Sequence, residues 1–422
     1  MLDLKFIREN PDLVKEAVKN KNEHADIDVI LNLDSRRRDI IGEVEQLKAT
    51  RNKVSEQIAK KKKSKEDALA DIAEMKEVGQ KISLLDNDLR DIMEELSNHL
   101  LKVPNIPHKD VPIGKDEESN VTIKEWSKVA TPDFEPLPHW ELGERLNILD
   151  IPASTKIAGS GFYVLKGLGA KLQRALITFM LETHTADGYI EIAPPFVAGT
   201  EAMTGTGQLP KLAEDMYQLK DENMYLIPTG EVPVTNLHRE EILPAEQLPK
   251  YYVAYTPCFR REAGAAGKDT RGVLRLHQFD KVEMVKLVHP DKSEEEHETL
   301  LVQAEKIIQK LNIPYRVRLL ATGDLSFAAS KCYDIEIWSA GVAKYLEVSS
   351  VSNFMDFQAR RMNCRFREEG QKPNFVHTLN GSGTALPRLM AAVMENNQTE
   401  YGSIVIPEAI RPYMGGVTEI TK

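Results

Sequence analysis

Residues 259 to 272 read FRREAGAAGKDTRG, a run of small residues flanked by Arg260, Arg261 and Arg271 and carrying Lys268. Glycines there can take backbone dihedrals closed to other residues, and guanidinium groups pair well with phosphate oxygens, so the stretch reads as a clamp for a polyphosphate. The common nucleotide signatures are absent. GAAGKD lacks the glycine five residues before Gly267 and the Ser/Thr after Lys268 that a P-loop needs. GLGAKL (167–172) and GSGTAL (381–386) lack the third glycine of a dinucleotide fingerprint, and no HExxH or GxSxG occurs. Cys258, Cys332 and Cys364 show no CxxC or Cys/His spacing, so they are expected as buried small apolar residues rather than disulfides or zinc ligands.

The elements that must hold this loop are visible as periodicities. At 422 residues, 41% hydrophobic and 28% charged, the chain is expected to form two or three globular domains. It has no run of about 18 uncharged apolar residues, and its start, MLDLKFIREN, lacks a signal-peptide layout, so no membrane partner and a cytoplasmic location are expected. A net charge of -10 argues against a general nucleic-acid coat, yet the charge is segregated: residues 35–65 carry a net +7 and residues 66–100 a net -7. Residues 35–100 contain no proline. Ile40, Val44, Leu47, Val54 and Ile58 form one apolar stripe interrupted by Arg51, and Val78, Ile82, Leu85, Leu89, Ile92 and Leu96 form a second. This predicts two antiparallel helices with a tip near Ser64, each on the order of 45 Å long. Such a hairpin suits a scaffold, or a probe for a polyanion, since its first arm is basic.

The run LKVPNIPHKDVPIGKDEESN (101–120) has linker texture, placing a linker at 106–120 between an N-terminal domain, 1–105, and a C-terminal domain, 121–422. In the latter, strands are expected within 188–197, 251–262, 272–288, 314–320, 333–340 and 345–354. Helices are expected over 167–186, 291–312 and 384–397. Consecutive strands without intervening helices predict an α+β fold with an antiparallel or mixed sheet.

These residues resemble a known family. FRRE (259–262) is similar to the Phe-Arg-x-Glu of motif 2 in class II aminoacyl-tRNA synthetases. GYIEIAPPFV (188–197) is similar to motif 1, with Pro195 as its proline. HTLNGSGTALPRLMAAVMENNQ (377–398) resembles motif 3 in the form used by seryl-tRNA synthetases of bacterial type, with Arg388 as its arginine. TGEVPVTNL (229–237), HQFDKVEM (277–284) and EVSSVSN (347–353) look like that family's own signatures, and an N-terminal helical hairpin is its appendage. The resemblance spans essentially the whole chain. One departure is that Ala385, Leu386 and Pro387 precede Arg388 where general motif 3 has Gly-Phe/Tyr-Glu.

The resemblance implies a class II catalytic domain that activates L-serine with ATP and passes the seryl group to tRNA(Ser) and, by the same logic, tRNA(Sec). Arg260 would bridge the serine carboxylate and the α-phosphate, while Arg275 and Arg271 would hold the β- and γ-phosphates. Glu262, two residues along the same strand as Arg260, would accept from the adenine amino group, with Phe279 and Arg388 stacking on either face of the base and Arg261 nearby. Glu347 and Ser350, in the segment with Val348 and Ser349, would suit Mg²⁺. Strict alternation puts Glu347, Ser349 and Val351 on one face, so Ser350 joins Glu347 only if a bulge intervenes. Thr229, Gly230, Glu231, Glu283, Asn380 and Ser382 match the family's serine site, where a polar pocket rejects alanine by leaving its own groups unpaired. No Cys/His set suggests the zinc found in divergent relatives. Motif 1 implies a homodimer, and the basic arm implies recognition of tRNA shape and backbone. A ligase loading an amino acid onto a carrier protein, and a non-catalytic tRNA-binding paralogue, remain as alternatives.

Overall fold

The chain opens with two short helices, α1 (Leu4–Glu9) and α2 (Pro11–Asn20), followed by the long pair α3 (Ile27–Lys63) and α4 (Leu69–Leu100). The computed structural model describes residues 1–129, 132–263 and 271–422, so Lys268 and most of the glycine-rich loop lie outside the described residues. α3 begins ahead of residue 35 because Asp26 caps it, its carboxylate accepting from the Val29 N–H. At 1.5 Å per residue the two helices run about 55 and about 48 Å. Val44, Ile82, Ile92, Leu96 and Leu100 are buried along their seam. Lys61–Asp71 (2.6 Å), Glu43–Lys81 (2.6 Å) and Lys48–Asp86 (3.7 Å) link the basic helix to the acidic one. By contacts the chain divides into two units, Leu2–Lys19 with Glu23–Pro104, and Met1 with Asn20–Asn22 and Asn105–Lys422.

In the larger unit β1 (Val121–Trp126) is followed by α5 (His139–Arg145), α6 (Ile151–Ala158), α7 (Leu168–Ala186), β2 (Ile190–Glu191), β3 (Val197–Gly199), α8 (Thr200–Thr206), β4 (Met224–Leu226), α9 (Glu231–Thr235) and β5 (Ile242–Pro244). The centre is built from β6 (Lys250–Phe259), β7 (Gln278–Val288), α10 (Ser293–Lys310), β8 (Tyr315–Leu319), β9 (Lys331–Ser339) and β10 (Lys344–Met355). It closes with α11 (Phe357–Met362), β11 (Arg365–Arg367), β12 (Asn374–Phe375), β13 (His377–Ala385) and α12 (Leu386–Asn396). One mixed sheet has the order β1-β8-β9-β10-β13-β7-β6-β2, antiparallel except where β2 runs parallel to β6. Two expected strands are shorter. Residues 188–197 hold only β2 and the start of β3, since Pro194 and Pro195 follow β2 and lack ladder donors. The motif 2 hairpin has strands ending at Phe259 and resuming at Gln278, so its connection is longer than the glycine-rich stretch.

Side-chain parity sorts the sheet into two faces. Val253, Val282, Met284, Ile335, Ile337, Val351 and Leu379 join one core with α7, α10 and α12. The opposite face is apolar toward one end, where Tyr252, Ala254, Val285 and Leu287 pack with Met362 and Phe366. The cross-strand register carries that second face on through Phe279, Lys281 and Glu283 of β7, Asn380 and Ser382 of β13, Ser350 of β10 and Asp334 of β9. A row of polar side chains on a sheet otherwise packed on both sides marks where a polar ligand belongs.

Candidate active site

The polar row gathers the residues that resembled a serine site. Thr229 lies just before α9, and Gly230 permits the close approach, since a Cβ there would sit 3.1 Å from Glu283 Cβ. Thr229 Oγ1 donates to Glu283 Oε2 (3.0 Å), and Lys281 Nζ pairs with the same oxygen. Glu283 Oε1 is buried and has no hydrogen-bond partner among the described residues. Such an acceptor costs free energy until a donor reaches it. Glu231 is also buried; Gln358 Nε2 donates to its Oε1 at 2.6 Å. Burial raises the Glu231 carboxyl above its ordinary value, opposed by the Gln358 hydrogen bond and the positive charges of Lys281 and Arg260. Burial likewise pulls Lys281 down to about 8, with Arg260 acting in the same direction and Glu231 and Glu347 opposing. Asn380 and Ser382 are buried, facing Val285 and Glu283 in the register.

Beside this pocket stand the groups expected to meet a nucleotide. Arg260 Cζ lies 5.0 Å from the Phe279 ring centroid, and its Nε donates to the Pro228 carbonyl (3.2 Å). Glu262 does not share a strand face with Arg260: β6 ends at Phe259, and Glu262 takes a positive φ of 52°. The turn brings Glu262 to Arg275 instead, in an ion pair of 2.6 Å. Arg388 Nη1 donates to the Glu347 carbonyl (2.6 Å) and Nε to the Leu274 carbonyl (3.3 Å), so it stands between β10 and the returning end of motif 2. Arg261 is exposed, its backbone N–H bound to the Asp215 carbonyl, and Arg271 is exposed at the edge of the described loop.

The condition set on Ser350 is met by a β-bulge. Glu347 opposes Glu336 while Ser349 opposes Ile335, which leaves Val348 as the extra residue. Past it the parity shifts, and Ser350 Oγ donates to Glu347 Oε1 at 3.0 Å. Asp334 faces Ser350 from β9; burial and the adjacent Glu347 carboxylate push its carboxyl well above the usual range. The side chains of Val348 and Ser349 do not join this face. Val348 is in the helix-side core, and Ser349 Oγ donates to the Ser382 carbonyl (2.6 Å). Pro195 is exposed beyond β2.

Three groups of this site were not singled out from the sequence. Lys281 was within reach, since Phe279, Lys281 and Glu283 alternate on one strand face. Gln358 and Asp334 carried no local signal, because what they touch lies on other elements. The three cysteines are buried, as expected.

A mixed, mainly antiparallel sheet whose polar face carries a bulged Glu-Ser pair, with a motif 2 arginine just past β6 and a motif 3 arginine reaching β10 from α12, defines a class II aminoacyl-tRNA synthetase. Residues 216–397 match the tRNA synthetase class II core domain (G, H, P, S and T), and residues 1–107 match the seryl-tRNA synthetase N-terminal domain. The serine–tRNA ligase of Thermodesulfovibrio yellowstonii is 52% identical, covering 98% of this chain and 99% of that protein. Among solved structures, the Pyrococcus horikoshii seryl-tRNA synthetase complexed with ATP superposes with a TM-score of 0.95 at 39% identity, covering 100% of this chain and 99% of the other. The cytoplasmic serine–tRNA ligase of Naegleria fowleri in complex with AMP gives 0.88 at 30% identity, covering 100% and 99%. The chain belongs to the seryl-tRNA synthetase family and is a ligase of that class.

Proposed function

We propose that the polar face activates L-serine with ATP and that the seryl group then passes to the 3′-terminal ribose of tRNA(Ser), with tRNA(Sec) as a second acceptor. The observation that carries this reading is the buried Thr229–Glu283–Lys281 cluster with its unfilled Glu283 oxygen beside Glu231 and Arg260. A small polar guest bearing an ammonium and a hydroxyl supplies the missing donors, and alanine supplies fewer. Glu231 and Glu283 hold those groups, with Asn380 and Ser382 lining the pocket, and Arg260 receives the carboxylate.

In the first step a serine carboxylate oxygen bonds to the α-phosphorus while the bond to the bridging oxygen of pyrophosphate breaks. Arg260 offsets the charge brought together there, and Arg275 and Arg271 that of the leaving pyrophosphate. Glu262 turns to the adenine amino group once Arg275 engages phosphate; Phe279 and Arg388 stack on the base. Carboxylate and hydroxyl oxygens at Glu347 and Ser350, backed by Asp334, suit a hard cation. Mg²⁺ held there would neutralise phosphate charge. In the second step the ribose hydroxyl attacks the seryl carbonyl and AMP leaves. Capture of ATP and AMP by the two solved relatives supports the nucleotide assignment.

The basic face of α3 is assigned to the tRNA backbone, the exposed Ile190, Pro195 and Phe196 of motif 1 to a homodimer contact, and the cytoplasm to the enzyme's location. Among the described residues no helix is long and apolar enough to cross a membrane. Serine-dependent exchange of pyrophosphate into ATP, followed by charging of tRNA(Ser), tests the assignment. Without exchange the activation chemistry is refuted, and exchange without charging points to a carrier-protein acceptor.

A further inference from the structure

We propose that His139 is a positioning residue that ties the returning end of motif 2, the segment bearing Arg271 and Arg275, to the motif 3 helix. The imidazole is buried and both its nitrogens are engaged. Nδ1 donates to Glu395 Oε1 (2.7 Å), and Nε2 accepts from the backbone N–H of Val273 (3.0 Å). Because a backbone N–H can only donate, Nε2 is unprotonated and the ring is the neutral Nδ1–H tautomer.

Glu395 is itself fixed on every side. Its Oε1 also accepts from the His139 backbone N–H (2.8 Å), and its Oε2 accepts from the Gly341 N–H (2.9 Å) and the Ser339 hydroxyl. A buried carboxylate held by four donors is a fixed anchor. The imidazole transmits that anchor to motif 2.

The neighbouring contacts show that this short segment is held deliberately. Arg388, Ala391 and Glu395 stand at i, i+3 and i+7 on one stripe of α12. Arg388 binds the Leu274 carbonyl, Ala391 packs with the buried Val273 and Leu276, and Glu395 acts through His139. Gly272 has φ +62°, and a Cβ added there would lie 2.2 Å from His139 Nε2, so the glycine is what lets the backbone approach the ring. Arg271 and Arg275 bracket the three residues so held. Orienting them before ATP arrives lowers the ordering cost of binding.

This inference rests on the assignment of Arg271 and Arg275 to the phosphates, and its test separates the two. His139→Phe keeps the ring volume and removes both hydrogen bonds. In pyrophosphate exchange its KM for ATP should rise about tenfold while KM for serine stays within about twofold. Hydrogen exchange at the Val273 amide, slow in the parent enzyme without nucleotide, should become fast. Unchanged protection at Val273, an unchanged KM for ATP, or equal rises in both KM values each overturn the proposal. Should His139→Phe fail to fold, Gly272→Ala displaces the same contact and must show the same ATP-selective rise, and an unaltered KM for ATP there overturns it too. Arg275→Ala is the control: if its KM for ATP is unchanged, the phosphate assignment falls, while Val273 protection still decides the anchor.

Discussion

Replacing Gln358 by leucine removes one amide from a buried carboxylate and leaves ATP contacts untouched. Gln358 cannot swing away in the parent enzyme: Thr378 Oγ1 donates to its Oε1 (2.7 Å), and its Nε2 donates to the Thr206 carbonyl (3.1 Å) as well as to Glu231 (2.6 Å). A hydrogen bond to a buried charge is worth about 1.5–3 kcal/mol. At about 1.4 kcal/mol per decade, KM for serine should rise roughly ten- to a hundredfold, with KM for ATP within about twofold. The pH dependence has a definite sign. Burial already raises the Glu231 carboxyl, and the Gln358 bond opposes that shift, so its loss raises the carboxyl further. Only the carboxylate attracts an ammonium, so KM for serine in the variant should fall as the pH rises, more steeply than in the parent enzyme. Serine titrations of pyrophosphate exchange at several pH values provide the measurement. A serine KM within about twofold of the parent, with no added pH slope, would refute the view that Gln358 maintains a working carboxylate.

Glu347→Gln should raise the Mg²⁺ concentration needed for half-maximal exchange roughly tenfold, read from metal titrations at fixed ATP. Exchanging Lys60, Lys62 and Lys63 for glutamate should raise KM for tRNA(Ser) and flatten its salt dependence, with adenylate formation unaffected; unchanged charging would remove the arm from tRNA recognition. His184 is buried with neither ring nitrogen hydrogen-bonded among the described residues, and burial lowers it from 6.5 to about 4. The unfolded chain therefore takes up this proton first as the pH falls, and the native state loses on the order of 2 kcal/mol by about pH 5. His184→Leu should remove that share of acid sensitivity in thermal unfolding scans, and an unchanged pH profile would exclude His184 as its source.

What could be read beforehand was what is local. The two arm helices follow from apolar residues spaced along one stretch of chain, and their half-buried seam runs along those stripes. Thr229, Glu283 and Arg260 belong to contiguous signatures, and β6 and β7 bring two of these signatures side by side. The remainder depends on contacts between distant segments. Gln358 reaches Glu231 across 127 residues of sequence, and His139 reaches Glu395 across 256. Neither partner alters the periodicity around the other. Glu262 departs from the expected face for a different reason: strand alternation ends at Phe259, and the backbone turns before it reaches Glu262.

The bulge at Val348 divides one strand into two frames. Before it Glu347 lies on the ligand side, and after it the even-numbered Ser350 and Ser352 do, with Val351 in the core. Were Val348 instead paired in an unbroken ladder, alternation would force a choice: either Glu347 turns into the hydrophobic layer, or the run from Ser349 to Asn353 inverts. The unpaired place of Val348 in β10 is thus as much a part of the proposed nucleotide site as any side chain, because it lets residues three apart in sequence meet on one face.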